Sequence, residues 1–154
     1  MTVRTAYVGT EAVGDVLTKA NFDKLPGGWI GEALVTASQA SITAETDLTN
    51  LTVTVTAGAN RRLKISATVP VQNSTPNVQM ILSIKEGATY LQQGALIVAG
   101  TSVYETIHVE VDLTPTTGSH TYKLALQAAA GTGAMAATAN HPAFLLVEDI
   151  GPAS

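Results

Sequence analysis

From Trp29 onward, apolar and polar residues alternate with a period of two. In "LTNLTVTVTAG" the apolar positions are Leu51, Val53 and Val55, set against Thr52, Thr54 and Thr56. In "RLKISATV", Leu63, Ile65, Ala67 and Val69 alternate with Arg62, Lys64, Ser66 and Thr68. In "VYETIHVEVDL", Val103, Ile107, Val109, Val111 and Leu113 stand opposite Tyr104, Thr106, His108, Glu110 and Asp112. Side chains along a strand point alternately to two faces, so each segment reads as a strand with one buried and one wet face, as antiparallel sheets permit. Further strands are expected at "WIGEALVTA", "VQMILSIKE", "TYLQQGALIVA", "HTYKLALQA" and "AFLLVEDI". Turn-forming clusters such as "AGANR", "QNSTPN", "TPTTGS" and "ANHPA" separate them. About eight strands with no helix between them predict an all-β antiparallel β-sandwich or barrel. No repeat of fixed period is present, which argues against a propeller or solenoid.

Two segments depart from alternation. "MILSI" and "AFLLV" are apolar at successive positions, with Phe144 and Leu146 pointing one way and Leu145 and Val147 the other. A strand buried on both faces of a two-layer sandwich needs an extra cover. A sister copy would supply it; the alternative is the chain's own N-terminal segment. The Ala/Gly/Thr tract 128–139 reads either as a close-packing surface or as a loop.

Residues 1–28 read as an arm, and residues 29–154 as the sandwich domain. In the arm, Thr18 is suited to cap one short helix whose apolar side is Ala20, Phe22 and Leu25, stopped by "PGG". So short a helix is unstable alone and has to dock on something.

Composition narrows the function classes. Charged residues make up 13% and aromatics 5% of the chain, against 45% hydrophobic, so an aliphatic core under a Thr/Ser-rich surface is implied. A net charge of -4 with no basic cluster beyond Arg61-Arg62 argues against nucleic acid as a partner. No apolar run has the length of a signal peptide or a membrane span, so the chain is expected to be made in a cytoplasm with no membrane partner.

Candidate chemistry is thin. The chain has no cysteine, and His108, His120 and His141 show no metal-ligand spacing. His108 shares a polar strand face with Glu110, while His120 and His141 fall in expected turns. There is no GxSxG elbow. Glu148 and Asp149 should point to opposite sides of a strand, and Glu110 and Asp112 read as a solvated edge, so neither pair suits sugar hydrolysis. The triplets at Asn50 and Asn73 are attributed to chance in a Thr-rich chain. Trp29 is expected to anchor a core or an interface, and Tyr104 is the one tyrosine placed to serve a glycan site. No enzyme activity, catalytic residue, metal or cofactor is expected.

The phrase "GDVLTKANFDKLPGGW" resembles the opening of small virion proteins of tailed bacteriophages, particularly those of actinobacterial hosts. It carries Gly14, Asp15, Leu17, Thr18 and Phe22 of a "GDxLTxxxF/MN" phrase, with Asp23 where Asn is commoner. "LTVTVTAGANRRLKI", "LSIKEGATYLQQG" and the closing "GSHTYKLALQAAAGTG…PAFLLVEDIGP" are similar to phage head-decoration or minor tail proteins. The resemblance implies a tumour-necrosis-factor-like jelly roll that assembles as a homotrimer in the virion, with no catalytic residue. Its partners would be major capsid or tail proteins, reached through the N-terminal arm. The expected assembly surface comprises Phe22, Leu25, Trp29, Met80, Phe144, Leu145, Leu146 and Val147. Capsid decoration is preferred to a tail position because the chain has no long fibrous segment. A module that binds a host-surface glycan or protein is the competing reading.

Overall fold

A computed structural model describes residues 25–101 and 103–153. Phe22 and the short helix expected after Thr18 lie outside the described residues. Ten strands follow in order: β1 (Gly28–Val35), β2 (Gln39–Ile42), β3 (Thr46–Ala57), β4 (Arg61–Asn73), β5 (Val78–Glu86), β6 (Thr89–Val98), β7 (Glu105–Leu113), β8 (Gly118–Ala128), β9 (Gly133–Met135) and β10 (Ala143–Pro152). The eight long ones are those the alternation predicts; the short β2 and β9 are additions.

The strands form two antiparallel sheets. One runs β1-β10-β4-β9-β2, with β7 on the other edge of β4; the second runs β3-β8-β5-β6. Neighbours in each sheet are thus mostly distant in sequence, the connectivity of a jelly roll. The long strand β4 is the spine of the first sheet. Its Leu63, Ile65, Ala67, Val69 and Val71 all face the core and are buried. Opposite them lie Met80, Leu82 and Ile84 of β5 and Tyr122, Leu124 and Leu126 of β8, also buried. Each such Val, Leu, Ile or Met side chain contributes about 1.5–3 kcal/mol by leaving water.

Both long edges of the sandwich are closed by a glycine. β1 packs against β3, and β6 against β7, across the gap between the sheets. A Cβ on Gly31 would stand 2.4 Å from Val53 Cγ1, and one on Gly94 would stand 2.4 Å from Val109 Cγ1. Any side chain at either point would push an edge strand away from the opposite sheet.

The doubly apolar strands resolve differently from the expectation. Met80, Leu145 and Val147 are buried within the single chain, so their cover comes from the facing sheet and no sister copy is needed for them. Only their alternates turn outward: Ile81, Phe144 and Leu146 are half-buried on the outer faces. The tract 128–139 is not a loose loop either. Ala128, Met135, Ala136 and Ala137 are buried, and β9 crosses it, with Met80 packed over Gly133.

At one pole, both described ends of the chain are fastened to the start of β4. The Arg61 guanidinium donates to both oxygens of Asp149, with Nε–Oδ2 at 2.8 Å and Nη2–Oδ1 at 2.7 Å, and to the Leu25 carbonyl at 2.6 Å. Gly151 N donates to the same carboxylate at 2.9 Å, and Ala153 N to Asn60 O at 2.7 Å.

Candidate functional site: the outer face of the β1–β10 sheet

Strand register lays three rows across the outside of the first sheet. Leu34, Phe144, Thr68 and His108 form one; Glu32, Leu146, Ser66 and Glu110 the next; Trp29, Glu148, Lys64 and Asp112 the third. The rows divide by chemistry. On β4 and β7 the polar groups satisfy one another: Lys64 Nζ lies 2.8 Å from Glu110 Oε2, Arg62 Nη2 3.2 Å from Asp112 Oδ2, and Thr68 Oγ1 2.9 Å from His108 Nδ1. The Lys64 ammonium holds the Glu110 carboxyl below its ordinary value, and Glu110 raises Lys64 in return. Such exposed pairs fix geometry more than they add stability.

On β1 and β10 apolar side chains share the face with the carboxylates of Glu32 and Glu148. Trp29 is 69% exposed and Leu34 55% exposed, flanked by the half-buried Phe144 and Leu146. Trp29 is therefore not a core residue. Its indole Nε1 donates to Glu148 Oε1 at 3.0 Å, which holds a large flat ring on the surface. The position follows from a bulge between Trp29 and Gly31, which re-aims the strand as it enters the sheet. Leu25, the other arm residue expected at an interface, is half-buried, and its carbonyl is the group that Arg61 takes.

A second apolar patch lies at the far edge. Ile97 near the end of β6 is 62% exposed, and Val103 and Tyr104 in the β6–β7 connection are 40% and 65% exposed. The sequence placed Val103 and Tyr104 on β7; the strand begins only at Glu105, so Val103 does not reach the core. No periodicity in the sequence distinguishes this patch.

Several titratable groups are engaged in structure. His120 lies on β8 rather than in a turn. Its Nδ1 is 2.8 Å from Glu86 Oε1 and its Nε2 2.8 Å from the Thr116 carbonyl, with its ring stacked on Tyr122. The Thr116 carbonyl and then Glu86 raise its pKa. Burial pushes the Tyr122 hydroxyl up to about 12. Glu45, between β2 and β3, bonds both Lys85 and Tyr90 and is held below its ordinary pKa, by Lys85 foremost. Glu148 and Asp149 diverge as expected, one to Trp29 and the other to Arg61. Among the described residues, no three His, Cys, Asp or Glu side chains gather as a metal site.

No protein-family model matches this chain, and no curated protein does. Solved structures are similar to it. Murine APRIL at pH 5.0 aligns over 79% of this chain and 98% of its own, at 10% identity, with a TM-score of 0.53. Murine APRIL at pH 8.0 aligns over the same shares, at 10% identity, with a TM-score of 0.51. The likeness is one of fold. It supports the jelly roll derived from the strand order, and at this identity it carries nothing about activity. The carbohydrate-binding module of Cellvibrio mixtus lichenase 5A also aligns, at 17% identity, but its TM-score of 0.37 is too low to argue from.

Proposed function

We propose that this jelly roll is a structural, non-enzymatic protein that works as a homotrimer, as a component of a tailed-phage particle. Capsid decoration is the preferred position, with residues 1–28 as the attachment arm. The observation that carries the assembly is the pair of separate apolar patches, Trp29/Leu34/Phe144/Leu146 on one edge and Ile97/Val103/Tyr104 on the other. Two unlike patches on one subunit suit a head-to-tail contact, which closes into a ring when the rotation fits. The place in a virion rests on the resemblance of "GDVLTKANFDKLPGGW" and the later phrases to virion proteins.

Sedimentation at micromolar protein tests the assembly. The expected species is a trimer that Leu34→Asp, at an exposed site, converts to a folded monomer; a monomeric parent protein overturns the reading. Particle binding after deletion of residues 1–24 tests the arm. Retained binding refutes it, and copy number per particle separates head from tail.

A further inference from the structure

The geometry points to a binding site for a neutral saccharide at the pole of the sandwich opposite Arg61, in a concavity of about 470 Å³ between β2, β9, the end of β4 and Thr101. Its size falls within the range of small-ligand sites, about 300–1,000 Å³. Three independent features mark it as a built site.

First, its framework is rigid. Asn73 is buried, and its Nδ2 donates to the Ala130 carbonyl at 3.1 Å while its Oδ1 accepts from Thr75 N at 2.8 Å. Ser74 and Thr132 are doubly tied: Ser74 N donates to Thr132 O at 2.9 Å, and Thr132 N to Ser74 Oγ at 3.0 Å. On the other side, Gln39 clamps β2 to β3, accepting from Thr49 N at 2.7 Å and donating to Asp47 O at 3.2 Å. A wall fixed in advance spares a ligand the cost of ordering it.

Second, the backbone is strained at the rim. Ser41 has φ of 65°, a conformation that side chains other than glycine, asparagine and aspartate seldom adopt. It sits where the pairing of β2 with β9 shifts between Gln39 and Ile42, so that Ala40 and Ser41 oppose the single Ala134. Strain and a bulge together re-aim polar groups at a site.

Third, some polar residues of its lining have side chains with no hydrogen-bond partner among the described residues. Gln72 is half-buried and faces Ala134, which offers it no hydrogen bond. Ser41 and Thr101, both exposed, line the same space.

The lining decides the ligand class. None of its residues is charged, large and apolar, or aromatic. Phosphates, carboxylates and metal ions would find no counter-charge, and a protein partner would find no pocket for an aromatic or aliphatic anchor. What remains is an amide and several hydroxyls around a floor of Ala40, Gly133 and Ala134. That combination suits hydroxyls that both donate and accept, with a sugar's C–H face laid on the alanine methyls. The site adjoins the proposed trimer contact at Thr101, two residues from Val103, but shares no residue with it.

The test is a titration of the whole chain, followed by amide resonances, with cellobiose, maltose, lactose and N,N′-diacetylchitobiose. Inorganic phosphate and a blocked tri-alanine peptide serve as comparisons. At least one disaccharide is expected to shift Ser41, Gln72, Thr132 and Gly133 saturably, and Gln72→Ala to weaken that binding about tenfold. Ala134→Leu, which fills the floor from the outer face, should abolish it and stands in if Gln72→Ala misfolds. Absence of a saturable shift with every sugar overturns the proposal, as do shifts indifferent to both substitutions or a response to the peptide or phosphate alone.

Discussion

Gly94→Ala is expected to destabilise the fold by forcing one edge of the sandwich open, and Val109→Ala is expected to rescue it. Gly94 pairs with Leu82 and faces inward. The new methyl would stand 2.4 Å from Val109 Cγ1, with the His108 carbonyl next at 3.4 Å. Carbon atoms prefer about 3.5–4.0 Å, so β6 or β7 has to retreat by about 1 Å. Overpacking of this kind costs about 1–3 kcal/mol. Restricting the unfolded chain by replacing glycine returns about 0.4–1 kcal/mol, which leaves a net loss of about 1–2 kcal/mol. Val109→Ala alone removes two methyls from a side chain only 4% exposed, for a loss of about 1.5–3 kcal/mol. In the double variant the new methyl occupies space the valine vacates. The pair should then cost less than the sum of the singles by about 1 kcal/mol or more. Urea unfolding followed by circular dichroism reads this, at one fixed protein concentration because self-association raises apparent stability. Additivity within about 0.5 kcal/mol would refute the claim that this one contact closes the edge.

Asp149→Ala should cost about 2–4 kcal/mol, because the Arg61 guanidinium loses a two-pronged carboxylate where both side chains are about 15% exposed; an unchanged urea midpoint would sink this. His120 gives a pH signature of definite sign. Its folded pKa is raised above the ordinary 6.5, so its stabilising contribution is complete below 6.5 and drains away as pH climbs through the folded value. Thermal scans across that window should show a fall in the parent protein that His120→Gln removes, and parallel profiles for the two would contradict it.

The alternation of β3, β4 and β7 was legible because each has one face toward the other sheet and one toward water. β10 misled for a physical reason. A run such as "AFLLV" is apolar at successive positions whether both faces are enclosed or one is merely half-covered, and here Leu145 is enclosed while Leu146 is not. β2 and β9 are too short to show a period, and the alanines beside them read as a loop until burial shows otherwise. The pairs that organise the ends of the fold were beyond reach. Arg61 meets Asp149 across 88 residues and Glu45 meets Lys85 across 40, separations that only the strand order explains. Asn73, read from its triplet as chance, is buried and holds the wall of the polar concavity, a role no local pattern announces.

Because Leu25 and Ala153 are both tethered beside the first residues of β4, the two described ends share one pole of the sandwich. Twelve strand steps separate Arg61 from Asn73, about 40 Å at the rise of an extended chain. A partner holding that pole would therefore leave the Ser41–Gln72 hollow facing outward, like a cup on a stand. Splicing the domain into a host surface loop would likewise leave that hollow pointing away from its carrier.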